Sequence, residues 1–251
     1  NANPNPNPSP SPNPNPNPNP NPKERYEQGL RKAFALERLR RESGWTEAEW
    51  RAAVEALADD LPTLLHPIMF VPNIRMLCTE AQQAYWLPKA RSLEVVGCYA
   101  QTELGHGSNV RALQTTATYV REDDAFVIHT PTLAAVKWWP GSLGRTANTA
   151  MVIARLIIDG ADHGVQNFLV PIRDRDTHAA LPGVTVGDIG PKLGYNNMDN
   201  GFLRFEHVKI PRMNMAMRYA SVDRSGGFTT KAGGGGGGAD DKVPYVTMMQ
   251  V

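Results

Sequence analysis

Cysteine is scarce in this chain: Cys78 and Cys98 are the only two among 251 residues. Neither sits in a CxxC pair or any metal-ligand spacing, so a disulfide framework and a thiolate metal site are both excluded. Free, reduced thiols in an intracellular compartment are the simplest reading. Excess charge is lacking too, with 26 Lys plus Arg against 25 Asp plus Glu. No global field therefore favours nucleic acid or an anionic membrane. No apolar run approaches the roughly 18 residues that a membrane span needs. His66, His106, His129, His163, His178 and His207 never fall at i, i+4 on a helix, and no paired carboxylates accompany them. That spacing argues against a protein metal site. A dinucleotide fingerprint is also missing: Gly105 and Gly107 are followed by Val110 where the third glycine would fall, in a setting without βαβ pattern.

Proline, by contrast, is concentrated. Residues 1–22 alternate Asn or Ser with Pro and hold ten of the chain's 21 prolines. Alternate prolines fix φ and lack amide donors, so neither helix nor ladder forms there. Without apolar side chains the ordering entropy is not recovered, and the segment reads as a disordered tail, with a spacer or repeat-based binding role as the alternative. It has neither the charged start nor the apolar core of a signal peptide.

The next part reads as helical. Tyr26, Leu30, Ala33 and Phe34 share one helical stripe, and Gly44 breaks it. Thr46 to Glu49 has the form of a capping box, Trp50, Val54, Leu57 and Leu61 continue an apolar face, and Pro62 ends it. Thr79 to Gln82 opens another helix, with Tyr85 and Trp86 as apolar anchors and Pro88 as its stop. Cys78 falls in the turn between helices. The clusters Arg31-Lys32 and Arg38 to Arg41 read as a solvated helix face.

From about Leu93 the period changes to two. Val95, Val96 and Cys98 form a short run, Leu113 to Tyr119 alternates, and Glu122 to Asp124 supplies a turn before Phe126 to Ile128. Met151 to Ile158 is the strongest strand, closed by Asp159-Gly160; Phe168 to Val170, Val184 to Val186 and Phe202 to Phe205 complete the set. Short strands without intervening helices suggest an antiparallel β-sandwich or barrel. The expected class is α+β: a tail over 1–22, helices over 23–92, a β domain over 93–222, a Gly-rich linker over 223–242 around the run Gly233 to Gly238, and at 243–251 the opening of a C-terminal helical domain that is missing.

Two loops carry the functional signal. The first is Cys98-Tyr-Ala-Gln-Thr-Glu-Leu-Gly-His-Gly-Ser-Asn109, where glycines let backbone amides approach a ligand and Thr102 and Ser108 add hydroxyls. The second is Lys137-Trp-Trp-Pro-Gly-Ser142. Adjacent tryptophans on a strand point to opposite faces, one into the core and one along a cleft. On these residues alone, a glycine-requiring β-turn and two core tryptophans are equally good readings.

Together with Leu181 to Gly190 and Met198 to Phe205, these blocks resemble the acyl-CoA oxidases, the peroxisomal relatives of the acyl-CoA dehydrogenases. The resemblance is densest over residues 95–219. It implies FAD as cofactor, with Thr102 hydrogen-bonding the flavin, Gly141 contacting it through backbone while leaving room for the ring edge, and Ser108 nearby. Glu103 and His106 look structural in that pattern rather than catalytic. The implied chemistry is oxidation of a fatty acyl-CoA to the trans-2-enoyl-CoA, with O2 reduced to H2O2, in a peroxisomal enzyme that is a homodimer at full length. The α-proton acceptor would be a glutamate in the C-terminal half, so this chain reads as an inactive fragment with no catalytic residue of its own. Met249-Gln-Val251 is not a peroxisomal tripeptide. The alternatives are an acyl-CoA dehydrogenase and a non-catalytic truncated module.

Overall fold

The computed structural model describes residues 21–105 and 107–230. The tail over 1–20, His106, the glycine run and the stretch 243–251 lie outside the described residues. The α+β order expected from the sequence is what the chain adopts. Helix α1 (Pro22–Ser43) begins earlier than the apolar stripe suggests, because Asn21 and Glu24 form a capping box around Pro22. The last two residues of the Asn/Pro segment thus belong to the helix. Gly44 closes it in the left-handed conformation at φ +64°. Thr46 caps α2 (Glu47–Leu57) as expected, but α2 ends at Ala58, a turn before Pro62.

A further helical stretch was not legible. A π-helical turn (His66–Phe70) runs directly into α3 (Val71–Leu77), and prolines 67 and 72 stand in second position of each. Pro67 stands in the first turn of this run, whereas Pro72 lies inside it and removes one donor from the ladder, directly after the Val71 amide that reaches back five residues to His66 O. Helix α4 (Glu80–Arg91) has the Thr79 capping box and contains Pro88 instead of stopping at it. Trp86 is its buried anchor, whereas Tyr85 is mostly exposed.

The β region is built around one long strand. The hairpin β5 (Thr149–Ile158) and β6 (Ala161–Pro171) turns at Asp159 and Gly160, both with positive φ. β6 covers one edge of β5. β1 (Gly97–Ala100) and β2 (Thr116–Val120) share the other edge, each parallel to β5. Outward from β2 come β3 (Ala125–His129) and then β9 (Val208–Pro211), both antiparallel. The sheet is therefore mixed, not wholly antiparallel: strands separated by tens of residues meet β5 through long connections that can return a strand in either sense. A smaller sheet orders β4 (Lys137–Trp138), β8 (Gly201–Phe205) and β7 (Val184–Asp188). A final hairpin pairs β10 (Ala220–Val222), at the end of the expected β domain, with β11 (Phe228–Thr230), which lies in the range that composition assigned to linker. Asp223 makes the difference by accepting from the Gly227 amide and the Ser225 hydroxyl, and Gly226 turns at φ +88°.

Strand alternation sorts the core into layers. Ala150, Val152, Ala154 and Leu156 of β5 face the smaller sheet with Phe126, Phe168, Leu203 and Phe205. Met151 and Ile153 face the other way, onto Phe70, Ile74, Leu77 and Trp86 of the helices. A separate cluster of Ala33, Leu36, Trp50 and Leu61 joins α1 to α2.

His66 ties the helical layer to β1. Its Nε2–H donates to Ala90 O at 2.9 Å, and its Nδ1 accepts from the Gly97 amide at 2.9 Å. That pairing requires the neutral ring, and burial pulls its pKa down to about 4 against the opposing pull of the Ala90 carbonyl. The unfolded chain, with its ordinary value near 6.5, binds the proton first as pH falls. Stability present above about pH 6.5 therefore drains away towards pH 4, by about 1.4 kcal/mol per pH unit and about 3 kcal/mol in all. Urea unfolding at stepped pH checks this. The slope should be present in the parent protein and gone in His66→Asn; the same slope in both would contradict it. Beside it, a Cβ at Gly97 would stand 2.1 Å from the Phe70 ring. Gly97→Ala is accordingly expected to cost about 1–3 kcal/mol by overpacking, and an unchanged urea midpoint would refute the tight fit.

Candidate functional site

The two loops singled out in the sequence lie side by side. Residues 101–105 run antiparallel to 134–138: Trp138 N donates to Thr102 O at 3.0 Å, Leu104 N to Val136 O at 2.8 Å and Gly105 N to Ala134 O at 2.9 Å. Glu103 stands directly opposite Lys137. On its other edge β4 pairs with β8, Lys137 against Leu203 and Trp138 against Phe202.

Directly opposed residues point to the same side of a ladder. Glu103 and Lys137 both point inward, and their side chains are fully buried. Lys137 Nζ donates to Glu103 Oε1 at 3.1 Å, Gln101 O at 3.0 Å and Ile153 O at 2.7 Å, which uses all three of its hydrogens. The Glu103 carboxylate also accepts from the amides of Gln114 and Thr115 and from the Thr115 hydroxyl, at 2.8, 2.9 and 2.6 Å. Burial pushes the Glu103 pKa up, but the Lys137 charge and these hydrogen bonds outweigh it, and the net shift is downward. Burial lowers the ammonium of Lys137, with Glu103 opposing. The carboxylate and its cation are thus a fully bonded structural pair.

Because Glu103 and Lys137 turn inward, Thr102, Leu104 and Trp138 turn outward. Thr102 and Trp138 are half-buried there, and Trp138 stacks on Phe202 with ring centroids 6.4 Å apart. Trp139 departs from the expected strand alternation. It leaves β4 at φ +83°, a sparsely populated conformation for an aromatic residue, and half its surface is exposed. Hydrogen bonds from Trp139 N to Gly201 O and from Asn200 Nδ2 to Trp139 O hold that turn. Leu104, Leu133 and Trp139 are large apolar residues exposed on these paired segments.

Gly141 follows Trp138 by three residues and is buried. A Cβ there would stand 2.3 Å from Met198 Sδ and 2.9 Å from Leu65 Cδ1. The room that the sequence reading reserved for a ring edge is filled by those side chains, so this glycine permits close packing. Ser108 lies on the exposed part of its loop, where its carbonyl accepts from Val110 N at 3.1 Å. Among the described residues, no hydrogen bond joins it to Thr102 or to residues 137–141.

The loop after Gly141 is held from both charge signs. Arg173 donates to the carbonyls of Leu143, Gly144 and Ala147, while Asp199 Oδ2 accepts from the amides of Arg145 and Thr146 at 2.7 and 2.8 Å. Burial raises the Asp199 pKa, against the pull of those amides. Tyr26 OH lies 3.0 Å from Thr146 Oγ1, and the Ser142 hydroxyl donates to Pro62 O, linking helix α1 and the segment after α2 to this loop. Arg173, Asp199 and Thr115 were not singled out from sequence, because each acts on residues tens of positions away. Lys137 had a local signal: a lone cation in an otherwise apolar run is either paired or expensive.

Removing one charge of the pair leaves the other buried and alone. Glu103→Gln is expected to cost about 3–5 kcal/mol in urea unfolding, and adding Lys137→Met should restore part of that loss. The Glu103 contribution is present above its ordinary carboxylate value and is lost as pH falls through its lower folded value. Additive losses in the double variant would contradict the pairing.

Comparison with known proteins gives a consistent result. The family profile described as acyl-coenzyme A oxidase N-terminal matches residues 10–96, and that described as acyl-CoA dehydrogenase, middle domain, matches residues 98–208. The chain is 55% identical over 167 residues to peroxisomal acyl-coenzyme A oxidase 1 of Arabidopsis thaliana, covering 65% of this chain and 25% of that protein. It is 41% identical over 231 residues to the Homo sapiens peroxisomal acyl-coenzyme A oxidase 1, covering 91% and 34%. The structure of Arabidopsis thaliana acyl-CoA oxidase 1 superposes with a TM-score of 0.85 at 44% identity, over 92% of this chain and 34% of that one. Acyl-CoA oxidase-1 of Caenorhabditis elegans, complexed with FAD and ATP, superposes with a TM-score of 0.80 at 42% identity, over 84% and 33%. The chain therefore spans a quarter to a third of the length of these relatives.

Proposed function

From the premise that this chain belongs to the acyl-CoA oxidase family, we propose that it forms the helical and flavin-binding β portion of a peroxisomal acyl-CoA oxidase. The substrates are a fatty acyl-CoA and O2, the products a trans-2-enoyl-CoA and H2O2, and the working assembly a homodimer. The dehydrogenase alternative is disfavoured, because the relatives above are oxidases by name. Their names also place them in the peroxisome. Among the described residues, no helix is long and apolar enough to cross a membrane.

The observation that carries this reading is the outward face made by the paired loops. On this face Thr102, Trp138 and Trp139 would hold FAD, which would supply the hydride acceptor for the β-hydrogen and the route of electrons to O2. Thr102 offers its hydroxyl beside the Trp138 ring, and the exposed indole of Trp139 provides a flat apolar wall that excludes water. Gly141 lets Leu65 and Met198 pack against the turn that carries Trp139, and its backbone would contact the flavin, as the resemblance implies. Ser108 sits on the adjoining loop and lends a second hydroxyl.

Glu103 does not serve as the base. Its two oxygens already take four hydrogen bonds inside the protein, and its net pKa shift is downward, which makes it a poorer proton acceptor. The α-proton acceptor is the C-terminal glutamate that the resemblance implies. Two measurements test this assignment. FAD titration followed by flavin fluorescence should give saturable binding to the chain, weakened about tenfold in Thr102→Val, the worth of one hydrogen bond. With FAD, palmitoyl-CoA and O2, the chain should produce no peroxide above background. Flavin binding indifferent to Thr102 and Trp139, or turnover at ordinary enzymatic rates, would overturn it.

A further inference from the structure

We propose that His129, Glu206 and His207 form a binding site for a divalent transition-metal ion of the Zn2+ type, placed where the two sheets meet and remote in chemistry from the flavin face. Helical i, i+4 spacing is absent from the histidines, but strand pairing supplies a different route. Ile128 of β3 opposes Val208 of antiparallel β9, so the next pair in that register sets His129 against His207. The two imidazoles stack with centroids 4.1 Å apart and planes inclined by 15°. His207 turns the chain between β8 and β9 at φ +53°, and the preceding Glu206 is anchored by its amide to Gly183 O at 2.8 Å. One potential ligand atom from each of the three residues lies within 4.8 Å of the others.

The orphaned nitrogen is what points to a ligand. His129 Nδ1 is buried and has no hydrogen-bond partner, which is costly for a ring nitrogen unless something else takes its lone pair or its proton. A tetrahedral ion with bonds near 2.0–2.1 Å spaces its ligands about 3.4 Å apart. Closing the remaining ångström or so falls to His207, whose exposed side chain rotates out of the stack to aim a nitrogen at the ion. Glu206 already lies with Oε1 3.4 Å from His207 Nδ1, while Arg204 occupies its Oε2 at 2.9 Å. Oε1 is thus the oxygen left for the metal, and Arg204 orients the carboxylate. Two imidazoles and one carboxylate suit Zn2+ or its neighbours in the first transition row and not Mg2+ or Ca2+, which favour all-oxygen sites. Water completes the fourth position.

Bound metal would staple the corner of the β region. Thr130, next to His129, already bonds Phe205 of β8 in both directions, N to O at 2.9 Å and Phe205 N to Thr130 Oγ1 at 3.0 Å. An ion on His129 and the 206–207 turn reinforces the same junction, and binding to the folded state alone raises its unfolding temperature.

The test uses the whole chain, titrated with Co2+ as a visible-absorbing probe and with Zn2+ in competition, alongside thermal unfolding. One equivalent should bind saturably and raise Tm. His129→Gln and Glu206→Gln should each weaken binding by tenfold or more, since even groups that only orient a ligand are worth about that much. His207→Asn, which suits the left-handed turn and keeps the fold by circular dichroism, should do the same. His163→Ala and His178→Ala should leave binding unchanged. Absence of saturable binding, or equal binding by the folded His207→Asn variant, would overturn the site.

Discussion

The buried ion pair of Glu103 and Lys137 is the constraint on which the rest of the site depends. A fully buried pair gives back its desolvation cost only if every donor and acceptor is met, and here they are met by four separate stretches of chain. Lys137 reaches the loop after β1, through Gln101 and Glu103, and the central strand β5, through Ile153. Glu103 reaches the approach to β2, through Gln114 and Thr115. Two inward-facing charges thereby decide which residues face outward, and Thr102 and Trp138 owe their placement to neighbours that never touch that surface.

Around this pair the loops are fixed by opposite devices. Residues 101–105 are held as one more strand of a ladder. Residues 142–147 have no ladder and are held chiefly by side chains, with Arg173 on their carbonyls and Asp199 on their amides, beside backbone bonds from Gly144 N to Asp199 O and from Ala147 N to Ser142 O. The turn between, at Trp139 and Ser142, contains two non-glycine residues with positive φ. Such strain persists only where surroundings over-determine it, and the bonds of Trp139 N to Gly201 O, of Asn200 Nδ2 to Trp139 O and of the Ser142 hydroxyl to Pro62 O do so. A stiff frame with one half-exposed indole is a suitable surface for a flat ligand.

Much of this was legible in the sequence, and what was not has a common cause. The capping boxes at Thr46 and Thr79, the Asp159-Gly160 hairpin and the alternating run of β5 are local signals, and each lies where the residues put it. Misreadings arose where a local rule met a long-range partner. Pro88 was read as a stop, yet α4 continues to Arg91. Trp139 was read as a strand residue, yet Gly201 and Asn200 pull it into a turn. Gly141 was read as clearance for a ligand, yet Leu65 and Met198, distant in sequence, occupy the space. Parallel pairing of β1 and β2 with β5 has no local signature at all, since it concerns strands whose partners lie tens of residues away. The histidines make the same point: their helical spacing argued against a metal site, whereas the stacking of His129 on His207 arises across two strands and has no signature in that spacing.

The central claim is that the inward pair holds the two loops together as a unit. Amide hydrogen exchange in Lys137→Met tests it most directly, by comparing Leu104, Gly105 and Trp138, whose amides bond across the loops, with Val152 and Ala154 in β5. Loss of the pair should raise exchange at the three loop amides together while the β5 amides stay protected. Protection of Leu104, Gly105 and Trp138 equal to that of the parent chain would show that the ladder stands without the pair, and the account would be wrong.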